Sequence, residues 1–194
     1  TGNAGGLSNF FVRGGESDHN KVLIDGVPVN SPGDAYDFAH VPADNVARIE
    51  VVRGPQSALF GSDAISSVVQ IFTRRGAPSP EATYSLEAGS FDTLRQSASL
   101  SGSFESFDFS NTFSRLDTDN LGKNDDFRNA AYFGNFGFAP GDDHTLRLTV
   151  SRTSGRAGTP GPTAEGFTSF DPTGSMERLE QTVGLAYNVM IGPR

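Results

Sequence analysis

The chain has 194 residues, 36% of them hydrophobic, a formal net charge of -8 and a pI near 4.8. Its 15 Lys and Arg are scattered along the sequence, so no basic face is offered to a phosphate backbone and a nucleic-acid partner is excluded. No run approaches the roughly 18 apolar residues a spanning helix requires, and with no Cys there is neither a disulfide framework nor a thiolate nucleophile; any membrane contact must be made by strands.

The opening TGNAGGLSNF lacks the basic start and apolar core of a signal peptide. FFVRGG (10–15) and KVLIDGVPVN (21–30) are short apolar runs bounded by Gly and polar residues, the second folded at an Asp25-Gly26 hairpin turn. ARIEVVRG (47–54) alternates Ile49, Val51 and Arg53 against Arg48, Glu50 and Val52, a strand with charge on both faces. PQSALFGSDAIS (55–66) predicts a helical turn stopped at Gly61, where backbone freedom matters more than side-chain chemistry. VVQIFTRR (68–75) predicts a further strand, and Ala77-Pro78-Ser79-Pro80 breaks regular structure. The expected organisation is a mixed α/β unit over 1–76, a linker at 77–80 and a β unit over 81–194.

Beyond the linker the period is two. Tyr84, Leu86 and Ala88 alternate with Thr83, Ser85 and Glu87; Leu94, Ala98 and Leu100 with Arg95, Ser97, Ser99 and Ser101. Phe107, Phe109 and Phe113 alternate with Asp108, Ser110, Thr112 and Ser114; Leu146, Leu148 and Val150 with Arg147, Thr149 and Ser151. Leu179, Val183, Leu185, Tyr187 and Val189 face away from Thr182, Gly184, Ala186 and Asn188, while Arg128 to Ala139 is mixed, with Phe133 opposite Tyr132, Phe136 and Phe138. A soluble sandwich would also alternate. Two details favour strands with lipid on one side and a polar lumen on the other: the segment lengths, and connections that are tight at 103–106 and 140–143 but long at 116–127 and 154–176. The short connection at 90–93 departs from that rule.

The series FFVRGGESDHNKVLIDGVPVN and ARIEVVRGPQSALFGSDAISSVVQIFTRRG resembles the plug of TonB-dependent outer-membrane transporters, in motif order and spacing, over roughly residues 5 to 76. RGGESDHNKVLIDGVPVN and GSDAI are similar to the cobalamin-transporter type, although receptors for other metal chelates share these features. The fold the resemblance implies is mainly β: a mixed α/β plug followed by antiparallel transmembrane β-barrel strands, a partial barrel of about six strands where the family closes about 22. It also implies a TonB-interacting segment before Thr1. Ser66-Ser67 stands where the family has a Gly pair, so Ser67 is expected to take a backbone conformation that glycine reaches more cheaply; Phe60 and Gln70 replace a common Tyr and Asn.

The function implied is active uptake of a metal chelate or cobalamin across the bacterial outer membrane, with the plug inside the barrel, energised by the TonB complex, and with outer-membrane lipid around it. The resemblance suggests that Arg13 and Arg53 latch plug to barrel through carboxylates on later strands, since a buried guanidinium needs such partners. Asp34, Tyr36, Asp37 and Phe38 would form an apical loop near the ligand. Cobalamin transporters use calcium in comparable outer loops, which makes Asp117, Asp119, Asp125 and Asp126 its candidate ligands; read from the residues alone, LDTDNLGKNDDF (116–127) is a solvated acidic loop without EF-hand spacing. No enzyme is expected, because His19, His40 and His144 are isolated and no Ser occupies a G-x-S-x-G elbow. The competing readings are a passive or adhesive outer-membrane barrel and a soluble β-rich binding module.

Overall fold

A computed structural model describes residues 4–31, 33–41, 43–141, 143–161 and 171–191. Two sheets carry the architecture. The first is four-stranded and mixed, in the order β2-β1-β4-β3, from β1 (Asn20–Ile24), β2 (Val27–Pro28), β3 (Val46–Arg53) and β4 (Ser67–Thr73). The second is a six-stranded meander in sequence order: β5 (Glu81–Gly89), β6 (Thr93–Phe104), β7 (Phe107–Thr118), β8 (Phe127–Gly141), β9 (His144–Gly158) and β10 (Ser175–Val189).

In the mixed sheet β1 and β4 run parallel, Asn20 opposite Ser67 and Ile24 opposite Ile71. Parallel neighbours are covered on both faces, which is why both strands are nearly unbroken apolar runs. Val22, Ile24, Val69 and Ile71 pack with Tyr36 on one face, and Leu23, Val68 and Ala64 on the other. Asp25 and Gly26 both take positive φ, 49° and 84°, the primed turn predicted for this hairpin. Beyond Pro28 the Asn30 side chain replaces the ladder, accepting from Val22 N at 2.6 Å and donating to the Asn20 carbonyl at 3.0 Å. The predicted helical turn is α1 (Ser57–Phe60), and Gly61 ends it at φ 89°, where a Cβ would be strained.

The FFVRGG run is a turn: Arg13 and Gly14 have φ of 50° and 77°, and Gly15 N closes on the Val12 carbonyl at 2.9 Å. One local expectation is corrected. Ser67 does not have positive φ. It is an extended residue of β4, fully buried, with its hydroxyl donating to Asn20 Oδ1 at 2.7 Å. A serine supplies that hydrogen bond and a glycine would not. The neighbouring Ser66 hydroxyl occupies the space above Gly15.

In the meander the predicted alternation sorts the residues as expected, because antiparallel partners share a face. Phe104, Phe107, Phe138, Leu146 and Tyr187 form one outward rung, and Phe109, Phe136, Leu148 and Leu185 the next. Phe133 is odd in the sequence because it points inward, where it is buried with Phe127. The strands outrun their apolar segments, so 116–118 and 154–158 belong to β7 and β9 rather than to loops. A tight turn at 105–106 joins β6 to β7, and the connection from β7 to β8 at the opposite end is longer, 119–126.

Candidate functional site

The inner face of the six-stranded sheet is buried and polar, with Ser110, Thr112, Ser114, Thr118, Asn129, Asn135 and Thr153 all covered. A buried polar group without a partner costs about 1–3 kcal/mol, so this face must be matched by polar groups on the first sheet's side. It is. Thr112 Oγ1 donates to Asn45 Oδ1 at 3.1 Å, Asn129 Nδ2 to the His40 carbonyl at 3.3 Å, and Asn135 Nδ2 to Thr73 Oγ1 at 2.9 Å.

Two ion pairs cross the same interface. Arg95 of β6 reaches Asp44 at 3.1 Å, and Arg178 of β10 reaches Asp37 at 3.5 Å. Asp37 is 5% exposed and caps the one-turn 3-10 helix Phe38–His40, its Oδ1 accepting from Ala39 N and Ser8 N, both at 3.0 Å. At the tight-turn end a relay runs between the two sheets. Asp25 accepts from Thr73 N and Oγ1 at 2.9 and 2.6 Å, Thr73 accepts from Asn135, and Asn135 Oδ1 accepts from Arg147 at 2.6 Å. Arg147 then pairs with Asp108 at 2.8 Å, and Asp108 accepts from Gly76 N at 3.3 Å. Among the described residues, two buried side-chain atoms lack partners, His40 Nδ1 and Asn129 Oδ1. Both face Gly155, where any Cβ would fall on the His40 ring.

At the loop end a cavity of about 350 Å³ is lined by Gly5, Gly6, Leu7 and Asp37 from the first unit and by Asp125 and Pro160 from the connections of the second. Asp37, the partner of Arg178 in the interface, is on its lining.

Residues 1–68 match the family described as the TonB-dependent receptor plug domain. They are a TonB-dependent receptor plug. A vitamin B12 transporter of Vibrio vulnificus is 37% identical over 117 residues, 54% of this chain and 19% of that protein. The ferripyoverdine receptor of the outer membrane of Pseudomonas aeruginosa superposes with a TM-score of 0.73 at 17% identity, covering 92% of this chain and 26% of the receptor. The siderophore receptor PirA of the same species gives 0.60 at 28% identity, over 76% of this chain and 28% of its own. The chain thus spans less than a third of the length of these relatives. The likeness to the receptor folds extends through both the plug and the meander.

The predicted site residues fall into different places. Arg13 and Arg53 of the plug are exposed, with no ion pair among the described residues. Tyr36 is 3% exposed, in edge contact with Phe38 at 5.0 Å, and burial pushes its hydroxyl well above the ordinary tyrosine range. Tyr36 and Asp37 are thus committed to core and interface, and of the four apical candidates Asp34 alone is exposed. Asp34 lies beside Asn30, at the end of β1 opposite Asp25, and so toward the loop end. Asp117 and Asp119 are held by Arg115 and Arg128 at 2.6 and 2.8 Å, the Asp126 backbone carbonyl accepts from Gly158 N at 2.8 Å, and no group of three or more potential ligands converges among the described residues.

Sequence reasoning missed the actual plug-to-meander partners, Asp44, Asn45, Thr73, Asn135 and Arg147. A signal existed: Arg95 and Arg147 interrupt inward faces otherwise made of Ser, Thr, Gly and Ala, Arg178 lies on one shared with Glu180, Thr182 and Gly184, and an arginine on a buried face calls for a carboxylate across from it.

Proposed function

We propose that the chain forms the plug and adjoining wall strands of an outer-membrane transporter that takes up a metal chelate or cobalamin, driven by the TonB complex of the inner membrane acting on the plug. The observation that carries this reading is the polar interface between plug and meander. An apolar interface would fuse the two sheets into one core. Hydrogen bonds and partly hydrated ion pairs can instead be exchanged for water at about 0.5–1.5 kcal/mol each, so a plug held this way can rearrange under modest force. The outward rungs of Phe, Leu and Val then face lipid, with the loop end outside the cell.

In this reading ligand enters over the cavity between residues 5–7 and the outer connections, with Asp34 at its approach. Arg13 and Arg53 meet carboxylates on wall strands beyond those described and complete the latch. The test uses cells that depend on the intact protein for labelled cyanocobalamin or a ferric chelate. Uptake is expected to stop when TonB is deleted, and to stop reversibly when Thr73→Cys and Asn135→Cys are joined by oxidation. Uptake that continues without TonB would instead identify a passive barrel and sink the proposal.

A further inference from the structure

The plug is not held equally by every strand of the meander. On β6 and β7 there are three polar links: Arg95 reaches Asp44 at 3.1 Å, Thr112 reaches Asn45 at 3.1 Å, and Asp108 accepts from Gly76 N at 3.3 Å. The β8 bonds through Asn129 and Asn135 come next. Among the described residues no hydrogen bond joins the plug to β9, and β10 has a single polar link, Arg178 to Asp37 at 3.5 Å.

Open space lies along these same two strands at both ends. The loop-end cavity is lined by Ala157 and Gly158 of β9 and Met176 of β10. At the tight-turn end a second cleft, of about 430 Å³, lies between the plug residues Asp25, Gln70 and Arg75 and the wall residues Thr145 and Thr149 of β9 and Asn188 of β10. Between the two spaces the inward residues are small or polar, Ser151, Thr153 and Gly155 pairing across with Thr182, Glu180 and Arg178. Two close contacts and the Arg178 link shut this stretch. A Cβ on Gly155 would fall on the His40 ring, and one on Gly184 would meet Val27 of the β1-β2 hairpin.

We propose that the passage for the ligand opens along this seam, between the plug and β9–β10, by a swing of the plug about its links to β6 and β7, with Arg178 as the gate. The proposal rests on the reading that the chain belongs to a TonB-driven transporter. Arg178 is arranged for release. Glu180, two residues along the same inward face, accepts from its Nε at 2.7 Å, so a guanidinium that loses Asp37 keeps a carboxylate and is not left as an unpaired charge. On the other side Thr112 and Asn45 are both buried, and parting them strands two polar groups. The seam is therefore the side that opens at lower cost, and opening it joins the cavity to the cleft along hydroxyl and glycine positions. The β8 bonds lie between hinge and seam and are exchanged as the plug turns.

The chain has no Cys, so a thiol can be placed at Thr153 on the seam or at Ser110 on β7, two inward positions buried to a like degree, 8% and 3% exposed. The intact protein carrying Thr153→Cys or Ser110→Cys is treated in cells with a methanethiosulfonate reagent, with and without the cyanocobalamin or ferric chelate that the cells take up, and with and without TonB. Labelling of Thr153→Cys should rise about tenfold when ligand and TonB are both present, while that of Ser110→Cys stays constant. Adding Arg178→Gln should raise the Thr153→Cys rate in the absence of ligand, and an unchanged rate removes Arg178 as the gate. Ser151→Cys and Ser114→Cys supply a second pair if either first variant fails to fold. Equal rises at the two positions, or a rise at Ser110→Cys alone, overturn the seam, and so does uptake without a rise at Thr153→Cys. A rise confined to Thr153→Cys that persists without TonB supports the seam and overturns the TonB-driven reading, which separates the two failures.

Discussion

The plug sheet and the six-stranded meander solve opposite packing problems with the same backbone geometry. In the plug, β1 and β4 bury apolar side chains on both faces, and the polar groups are pushed to the edges and turns. In the meander the covered face is the polar one, and the large apolar side chains are exposed, Leu185 at 70% and Leu146 at 40%. Exposure therefore means different things in the two regions. A strand pattern alone tells which residues share a face but not which face is turned to solvent, to lipid or to another sheet.

The largest expected break in this contrast comes from one substitution made on each side of it. Val68 is fully buried, so Val68→Asp places an unpaired charge in the plug core and should cost about 4 kcal/mol or more, seen as rapid proteolysis of residues 20–73. Leu185→Asp on the meander should leave that proteolytic pattern unchanged and instead reduce insertion into vesicles. Equal protease sensitivity in both would show that the meander face is an ordinary core.

Next comes the interface. Asp37→Ala removes the acceptor of two backbone N–H groups and of Arg178 and should destabilise the plug by about 2–3 kcal/mol. A cycle with Arg178→Ala should recover a coupling of about 1 kcal/mol, read by hydrogen exchange at Phe38–His40. A smaller loss, about 1–2 kcal/mol, is expected for Asn135→Ala, and it should shrink without vanishing when Thr73→Val is already present, because the bond to Thr73 is then gone while the one from Arg147 is still there to lose.

The smallest effect lies wholly inside the plug. Lys21 bonds Asp63 at 2.9 Å, and this bond, above other causes, holds the Asp63 carboxyl below the ordinary aspartate range. Its folded pKa is depressed, so its stabilisation is fully present above the unfolded pKa and is lost as pH falls through the folded one. Lys21→Met should therefore lower stability by less than about 1 kcal/mol at neutral pH, and its thermal midpoint should converge with that of the unsubstituted protein in acid.

How much of this was legible beforehand depended on the range of the interaction. The Asp25-Gly26 turn, the stop at Gly61 and the alternation of β5 to β10 are set by residues a few positions apart, and each was readable. FFVRGG was readable only as a short apolar run bounded by glycine, and nothing local announced that Arg13 joins Gly14 in the left-handed conformation. Ser67 misled because a comparison with glycine considers the backbone only, and the hydroxyl is what Asn20 requires. The interface was hidden for a different reason. Asn135 and Thr73 are 62 positions apart and Asp37 and Arg178 are 141 apart, and nothing local marks one as the other's partner.

Gly76 sets a limit on travel. Its amide is fixed to Asp108, and a side chain there would strike the backbone of Gly102 and Phe109, so the connecting segment lies flush against the wall before β5 begins at Glu81. The Arg74 amide is still held by the Asn45 carbonyl at 2.9 Å, so only two peptide steps separate it from Gly76, a span of roughly 7 Å at full extension. The end of β4 is held on a leash of that length, so in the proposed transport a displaced plug would swing about this anchor rather than depart from it.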